Sequence, residues 1–296
     1  MDKKKRYIAA KTNRKRKQSR IKAIVIILFF ILGLIFIYSM AKKKIGPSQE
    51  KPIEAVGKEE KKEEEEVDKK IEEEKKNLEE EKPVTFNDKL KLIEDYPRFL
   101  KEMAERYPET IDFVIKYPER NLDPSKIDIS HDYVTGEVPL FIQWDDRWGY
   151  MPFIESIVGI SGCGPTALSM AYTGLTGDLS MDPYKMSQYA EQNGYGVINE
   201  GSTWDLFQKG ATDLGLTSEM IYVDNNIFKE SLDQGKYIVL NVGPGDFTNG
   251  GHFILVVDYN EEGYKVHDSN SLINSAKTWT FDSLMPQIKA AWALGK

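Results

Sequence analysis

A chain of 296 residues that is 41% hydrophobic has material for one or two cores, and its single cysteine excludes an intramolecular disulfide or a thiolate-rich zinc site. The formal net charge of −7 conceals a split: residues 1–44 carry fourteen Lys and Arg against one acid, +13, which leaves −20 for the remainder. So acidic a bulk is a poor partner for nucleic acid, and three histidines without an HExxH leave no dedicated metal site, so no metal or other cofactor is expected.

Residues 1–22 are a basic tract, and their neighbour decides their meaning. Ala23 to Ala41 is uncharged and rich in Ile, Leu and Phe. About 20 such residues span a bilayer as a helix. Eleven positive charges precede the run and only Lys42-Lys43-Lys44 follow closely, which places the N-terminus in the cytoplasm and the rest outside. Ser39-Met40-Ala41 also has the spacing of a signal-peptidase site, but the apolar run exceeds a usual signal h-region, which favours an uncleaved anchor over 23–41.

Residues 42–83 are a charged, low-complexity stalk. Val67, Ile71 and Leu78 fall at helical spacing, yet three apolar positions make a weak seam, so a mobile or single-helix stalk ranks above a dimeric coiled coil. In a bacterium lacking an outer membrane, as in a Gram-positive type, such a stalk reaches into the cell wall.

From Phe86 the composition is globular. Three Tyr-Pro pairs, at Tyr96-Pro97, Tyr107-Pro108 and Tyr117-Pro118, punctuate short amphipathic pieces and predict a small helical subdomain over 84–130. Val138–Ile142 is a short strand or extended lead-in to Gln143-Trp144-Asp145. Helices are predicted from the cysteine to about Thr176, over Pro183–Gln192 and over Ser202–Gly215. Lys236–Val242 reads as a buried strand. The glycine-rich loop Gly243–Gly251 ends at His252 and lacks the pattern of a phosphate loop. His252–Asp258 and Tyr264–Asp268 flank a turn at Asn260–Gly263 and predict an antiparallel hairpin. Thr278–Phe281 and the terminal Phe281–Ala293 segment close the sheet and pack a last helix.

Chemistry is expected at Ser161-Gly162-Cys163-Gly164-Pro165-Thr166-Ala167-Leu168. Two glycines allow a tight turn, Pro165 suits a first helical turn, and Cys163 falls at the helix N-terminus, where unpaired N–H groups lower a thiol's pKa. The bland alternative is a small buried hydrophobe. A thiol nucleophile needs a base and a group to orient it, and the hairpin offers both. If residue pairs sum to 522, with the turn centred on Glu261, Ile254 faces Asp268 and His252 lies diagonally on the same face. A one-residue slip would separate them. Asn270 is a second candidate orienting group. His267 alternates to the other face and reads as structural; His131 reads as exposed. Trp144, Trp148 and Trp204 are candidates to line a groove.

These residues together, Gln143-Trp144-Asp145, Gly162–Leu168, Gly251-His252-Phe253 and Asp268, resemble the papain-clan cysteine peptidases that process bacteriocin leaders and their C39-like relatives, over about Val138 to Leu284. The resemblance implies an α+β, papain-like cysteine peptidase fold, a helical half against an antiparallel sheet, in a domain over 131–296. It further implies Cys163 as nucleophile, His252 as base, Asp268 as orienting carboxylate and Gln143 as side-chain donor of the oxyanion hole. Ser269 stands where relatives often carry proline, which keeps Asn270 in play. Leader-processing relatives are usually fused to a transporter, which is absent here, so the substrate expected is another peptide or a peptidoglycan-type amide. The expected protein is thus a membrane-anchored extracellular cysteine peptidase. The alternatives are a non-catalytic cell-wall or peptide-binding module on the same fold and an acyl transferase.

Overall fold

The computed structural model describes residues 84–198 and 201–296. The expected tail (1–22), span (23–41) and stalk (42–83) lie outside the described residues. Among the described residues no helix is long and apolar enough to cross a membrane. Lys89–Lys296 forms one compact unit, and the expected boundary between 130 and 131 falls inside it.

Proline fixes φ and offers no N–H to a preceding turn, so each Tyr-Pro pair marks a helix boundary. Pro97 precedes helix α1 (Arg98–Arg106), Pro108 opens the 3-10 turn that leads into α2 (Ile111–Lys116), and Pro118 lies in the 3-10 turn that ends it. Leu100, Met103 and Ala104 of α1 and Ile111, Phe113, Val114 and Ile115 of α2 are buried. Phe113 stacks almost parallel on Tyr150 with ring centroids 4.1 Å apart, and the Tyr150 hydroxyl donates to the Phe113 carbonyl (2.8 Å). Gly149 permits this approach, since a Cβ there would lie 2.7 Å from the Phe113 ring. Lys116 pairs with Asp146 beside it.

Helix α3 (Cys163–Thr176) is buried along most of its length and ends at Gly177, whose φ of +72° suits glycine. Helix α4 (Pro183–Gln192) is capped by Asp182, which accepts from the Tyr184 and Lys185 N–H groups. The helix expected over Ser202–Gly215 is shorter. Gly201–Ser202 pairs with Gly196–Val197, and the Thr203 N–H bonds the Tyr195 carbonyl (2.8 Å), which holds this stretch extended. The chain then coils as a π turn over Leu206–Gly210 and an α turn over Ala211–Asp213.

Six antiparallel strands form the sheet: β1 (Thr217–Ile221), β2 (Tyr237–Val242), β3 (His252–Asn260), β4 (Gly263–His267), β5 (Thr278–Trp279) and β6 (Ile288–Gly295), in the spatial order β1-β6-β2-β3-β4-β5. The last helix expected over Phe281–Ala293 is therefore corrected: only Phe281–Leu284 and the 3-10 turn Met285–Gln287 are helical, and β6 runs between β1 and β2. Ala and Leu favour helix locally, but Ala290, Trp292 and Leu294 fill one core while Ala291 enters the other, a period of two that pairing on both edges enforces. Val138–Ile142 is an extended lead-in rather than a strand.

One sheet face, through Val239, Leu255 and Trp292, packs on α3 and α4. The other, through Leu240, Ile254 and Val256, packs on α5 (Asn225–Asp233) by way of Phe228. The β3–β4 hairpin closes through a two-residue turn, Glu261-Glu262, with Asn260 opposite Gly263 and Asp258 opposite Lys265, pairs that sum to 523. Carried onward, that register would set Asp268 on the face opposite His252. A bulge at Val257 resets it, so that Val256 faces Val266 and Leu255 faces His267, summing to 522 at the end where the histidine lies. The expected pairing is thus present there, with the turn centred between Glu261 and Glu262 rather than on Glu261.

Candidate active site

Gly162 bonds back to the Val158 carbonyl (2.8 Å) and ends a short helical turn, Val158–Ser161, so that Cys163 becomes the first residue of α3. Its own N–H has no acceptor within that helix. Gly164 is required by packing: a Cβ there would lie 2.5 Å from the Ser202 hydroxyl and 2.6 Å from its Cβ. The thiol is partly exposed and has the backbone N–H groups of Phe253 and Gly164 beside it. Burial pushes the thiol pKa up, but the hydrogen bond and charge of His252, with those two N–H groups, outweigh it and hold the thiol below its ordinary value.

His252 opens β3, and Asp268 follows directly after β4 on the same face. His252 Nε2 and Asp268 Oδ1 are 2.8 Å apart, and the Asp268 side chain is fully buried. The same carboxylate accepts from the Asn270 N–H (2.9 Å) and from Asn274 Nδ2 (3.0 Å). A carboxylate supplied with two amide donors and an adjoining imidazole is tolerated in the interior where an unpaired one is not. Burial pulls the His252 pKa down, yet the Asp268 charge and hydrogen bond, with the thiol, raise it well above the ordinary imidazole value. Both shifts favour a thiolate–imidazolium pair. With Nε2 committed to Asp268, Nδ1 is the ring nitrogen left for the thiol.

Gln143 is buried in the same groove. Its Nε2 donates to the Gly159 carbonyl (3.1 Å) and more weakly to that of Ile160 (3.4 Å), and its Oε1 accepts from the Ser269 hydroxyl (3.0 Å). The Gln143 N–H also bonds the Ser269 carbonyl (2.7 Å). Ser269 therefore fastens Gln143 to the loop that carries Asp268. Asn270 contributes its backbone, through the N–H to Asp268 and a carbonyl that accepts from Trp144 Nε1 (3.0 Å). It is Asn274, not named by the sequence reading, whose side chain holds Asp268. It lies on the one-turn helix α6 (Leu272–Ser275), where Ser271 caps its N–H (3.1 Å). A Ser-x-x-Asn capping spacing after Asp268 is the only signal it carries in the sequence.

The loop before His252 is also fixed. Gln287 accepts from the Asp246 N–H (2.6 Å) and donates to its carboxylate (2.7 Å). Two clefts meet at Cys163, with Ile160 and Gly251 between them. One is lined by Gln143, His252 and Asn270, together with α1; the other by Glu155, Ser156, Ser161 and Ile198. Of the three tryptophans expected at a groove, Trp148 is instead a core residue whose Nε1 donates to the Ile142 carbonyl (2.9 Å). Trp204 is exposed against Trp292 and lines neither cleft, and Trp144 is half-buried. His131 is exposed. His267 is buried, donates to the Pro139 carbonyl (3.3 Å) and is held neutral by burial and by Lys265, which lower its pKa to about 4. Among the described residues no group of three or more His, Cys, Asp or Glu side chains is placed to hold a metal.

A thiol at a helix N-terminus, facing an imidazole that a buried carboxylate orients from an antiparallel sheet, is the side-chain set of cysteine peptidases. The chain belongs to the Peptidase_C39 like family, which matches residues 135–295. Among solved structures it is similar to a C39-like peptidase from Bacillus anthracis, at 16% identity over 55% of this chain and 96% of that one, with a TM-score of 0.37. It is also similar to the peptidase domain of Streptococcus ComA, a bifunctional ABC transporter of a quorum-sensing pathway, at 17% identity over 46% and 91% of the two chains, with a TM-score of 0.36. No curated protein matches it.

Proposed function

We propose that this chain is a papain-like cysteine peptidase, anchored by residues 23–41 with its folded part outside the membrane, that hydrolyses a peptide bond through Cys163, His252 and Asp268. The observation that carries the reading is that Cys163 and His252 line one cleft while His252 Nε2 lies 2.8 Å from the buried Asp268 carboxylate, with Cys163 set where two clefts meet. The thiolate attacks the carbonyl carbon, and the oxyanion takes hydrogen bonds from the Cys163 N–H and Gln143 Nε2. The Gln143 bond to Ile160, at 3.4 Å, is the weaker one and the one the oxyanion displaces. His252 gives its proton to the leaving amine, a thioester remains, and water activated by His252 hydrolyses it and restores the thiolate. A peptide or a peptidoglycan-type peptide is the substrate class.

The test is incubation of the full chain with a mixture of peptides and of peptidoglycan fragments, products being identified by mass spectrometry. Cleavage that falls by at least roughly a thousandfold in Cys163→Ala is expected, from loss of the nucleophile. Cleavage that persists in that variant, or none in the native chain, overturns the peptidase reading and favours the binding module. Amine-capped products in preference to free acids would instead indicate acyl transfer.

A further inference from the structure

We propose that α1 and the Tyr107 that follows it belong to the substrate site: Phe99, Met103, Arg106 and Tyr107 wall the leaving-group side of the cleft and select peptides that carry a carboxylate and an apolar side chain just after the cut. This inference rests on the peptidase reading above. The side follows from the chemistry. The group that protonates the departing amine must face it, and His252 lines only the cleft that α1 walls, while Cys163 lines both. The acyl part of the substrate then occupies the other cleft, whose lining contains no cationic residue.

The wall is a built one. α1 lies outside residues 135–295, the part of the chain that matches the family. Glu109 just beyond it accepts from the Ser271 hydroxyl and from the Leu272 (3.0 Å) and Ile273 (3.2 Å) N–H groups, which fastens the segment beside the Asp268 loop. Phe99 is a large apolar side chain left 43% exposed at the cleft, with Met103 behind it. Glu102 on the same wall pairs with Arg98 (2.6 Å). Arg106 is exposed, lies over the Tyr107 ring at 5.5 Å, and among the described residues has no carboxylate within ion-pair distance. Its charge is thus available to a substrate carboxylate, and Phe99 to an apolar neighbour.

The test uses the full chain on a proteome-derived peptide mixture, with cleavage sites mapped on both sides of the bond in the native protein, Arg106→Glu and Phe99→Ala. Native cleavage is expected to favour Asp, Glu or a free C-terminus within the first three residues after the cut. Arg106→Glu is expected to lower the acidic-over-basic ratio there about tenfold, as reversal of one partly solvated ion pair allows, with acyl-side preference unmoved. Phe99→Ala is expected to lower cleavage before large apolar residues severalfold. The iodoacetate-to-iodoacetamide rate ratio at Cys163, which needs no hydrolysis, is expected to fall about threefold in Arg106→Glu by the same electrostatic argument. Cys163-dependent cleavage with unchanged leaving-side preference in Arg106→Glu overturns this inference alone. Absence of any Cys163-dependent cleavage overturns the peptidase reading and this inference with it.

Discussion

Ser269 shows how one side chain links two parts of the candidate site. Its hydroxyl is the donor to Gln143 Oε1, and with that bond in place Nε2 is aimed at the Gly159 and Ile160 carbonyls beside Cys163. Ser269→Ala leaves a buried amide oxygen without its donor, at a cost of about 1–3 kcal/mol, and frees the carboxamide to turn over. The expected outcome is a fall of roughly tenfold in kcat/KM with no change in the pH midpoint of Cys163 alkylation, because neither His252 nor Asp268 loses a contact. A midpoint that moves together with activity would contradict a role confined to Gln143. Gln143 was reached only through the family resemblance, whereas Cys163, His252 and Asp268 could be singled out from the sequence by residue type and local spacing. Asn274 could not, because its contact with Asp268 depends on a single helical turn folding back, and Asn270 stood out by its amide yet contributes only its backbone.

At the scale of elements, α6 joins the N-terminal helices to the sheet. Glu109 caps its first N–H groups, and α6 in turn presents Asn274 to Asp268. Glu109→Ala would leave the Leu272 and Ile273 N–H groups without their acceptor, so a loss of about 1–3 kcal/mol is expected, read as a fall of several degrees in the thermal midpoint. Glu109→Gln, which keeps an acceptor, should recover part of it. An unchanged midpoint in Glu109→Ala would show that α1 and α2 are not fastened through this contact. The sequence was most legible where a local signal exists: the Tyr-Pro boundaries, the cysteine helix and the hairpin. It was misleading for β6, whose Ala-rich composition points to helix while its place between β1 and β2 makes it a strand. The bulge at Val257 is likewise set by the sheet, since a two-residue turn alone would close the hairpin in the other register.

At the scale of the whole molecule, the central claim is that Cys163 on α3 and His252 on the β3–β4 hairpin, 89 residues apart in sequence, meet to convert an ordinary thiol into a thiolate. The linkage fixes the signs. The Cys163 pKa lies below its ordinary value, so the thiolate persists to lower pH and is lost by protonation as pH falls through the lowered value. The His252 pKa lies above its ordinary value, so the imidazolium is lost only as pH rises through the raised one. The reactive pair therefore occupies the window between the two. The most direct measurement is the pH dependence of Cys163 alkylation by iodoacetamide in the full chain, native against His252→Ala. The account predicts a native midpoint below the ordinary thiol value of 9.0 and a rise in His252→Ala, where burial is left less opposed. A native midpoint at or above 9.0, unchanged by the substitution, would contradict it.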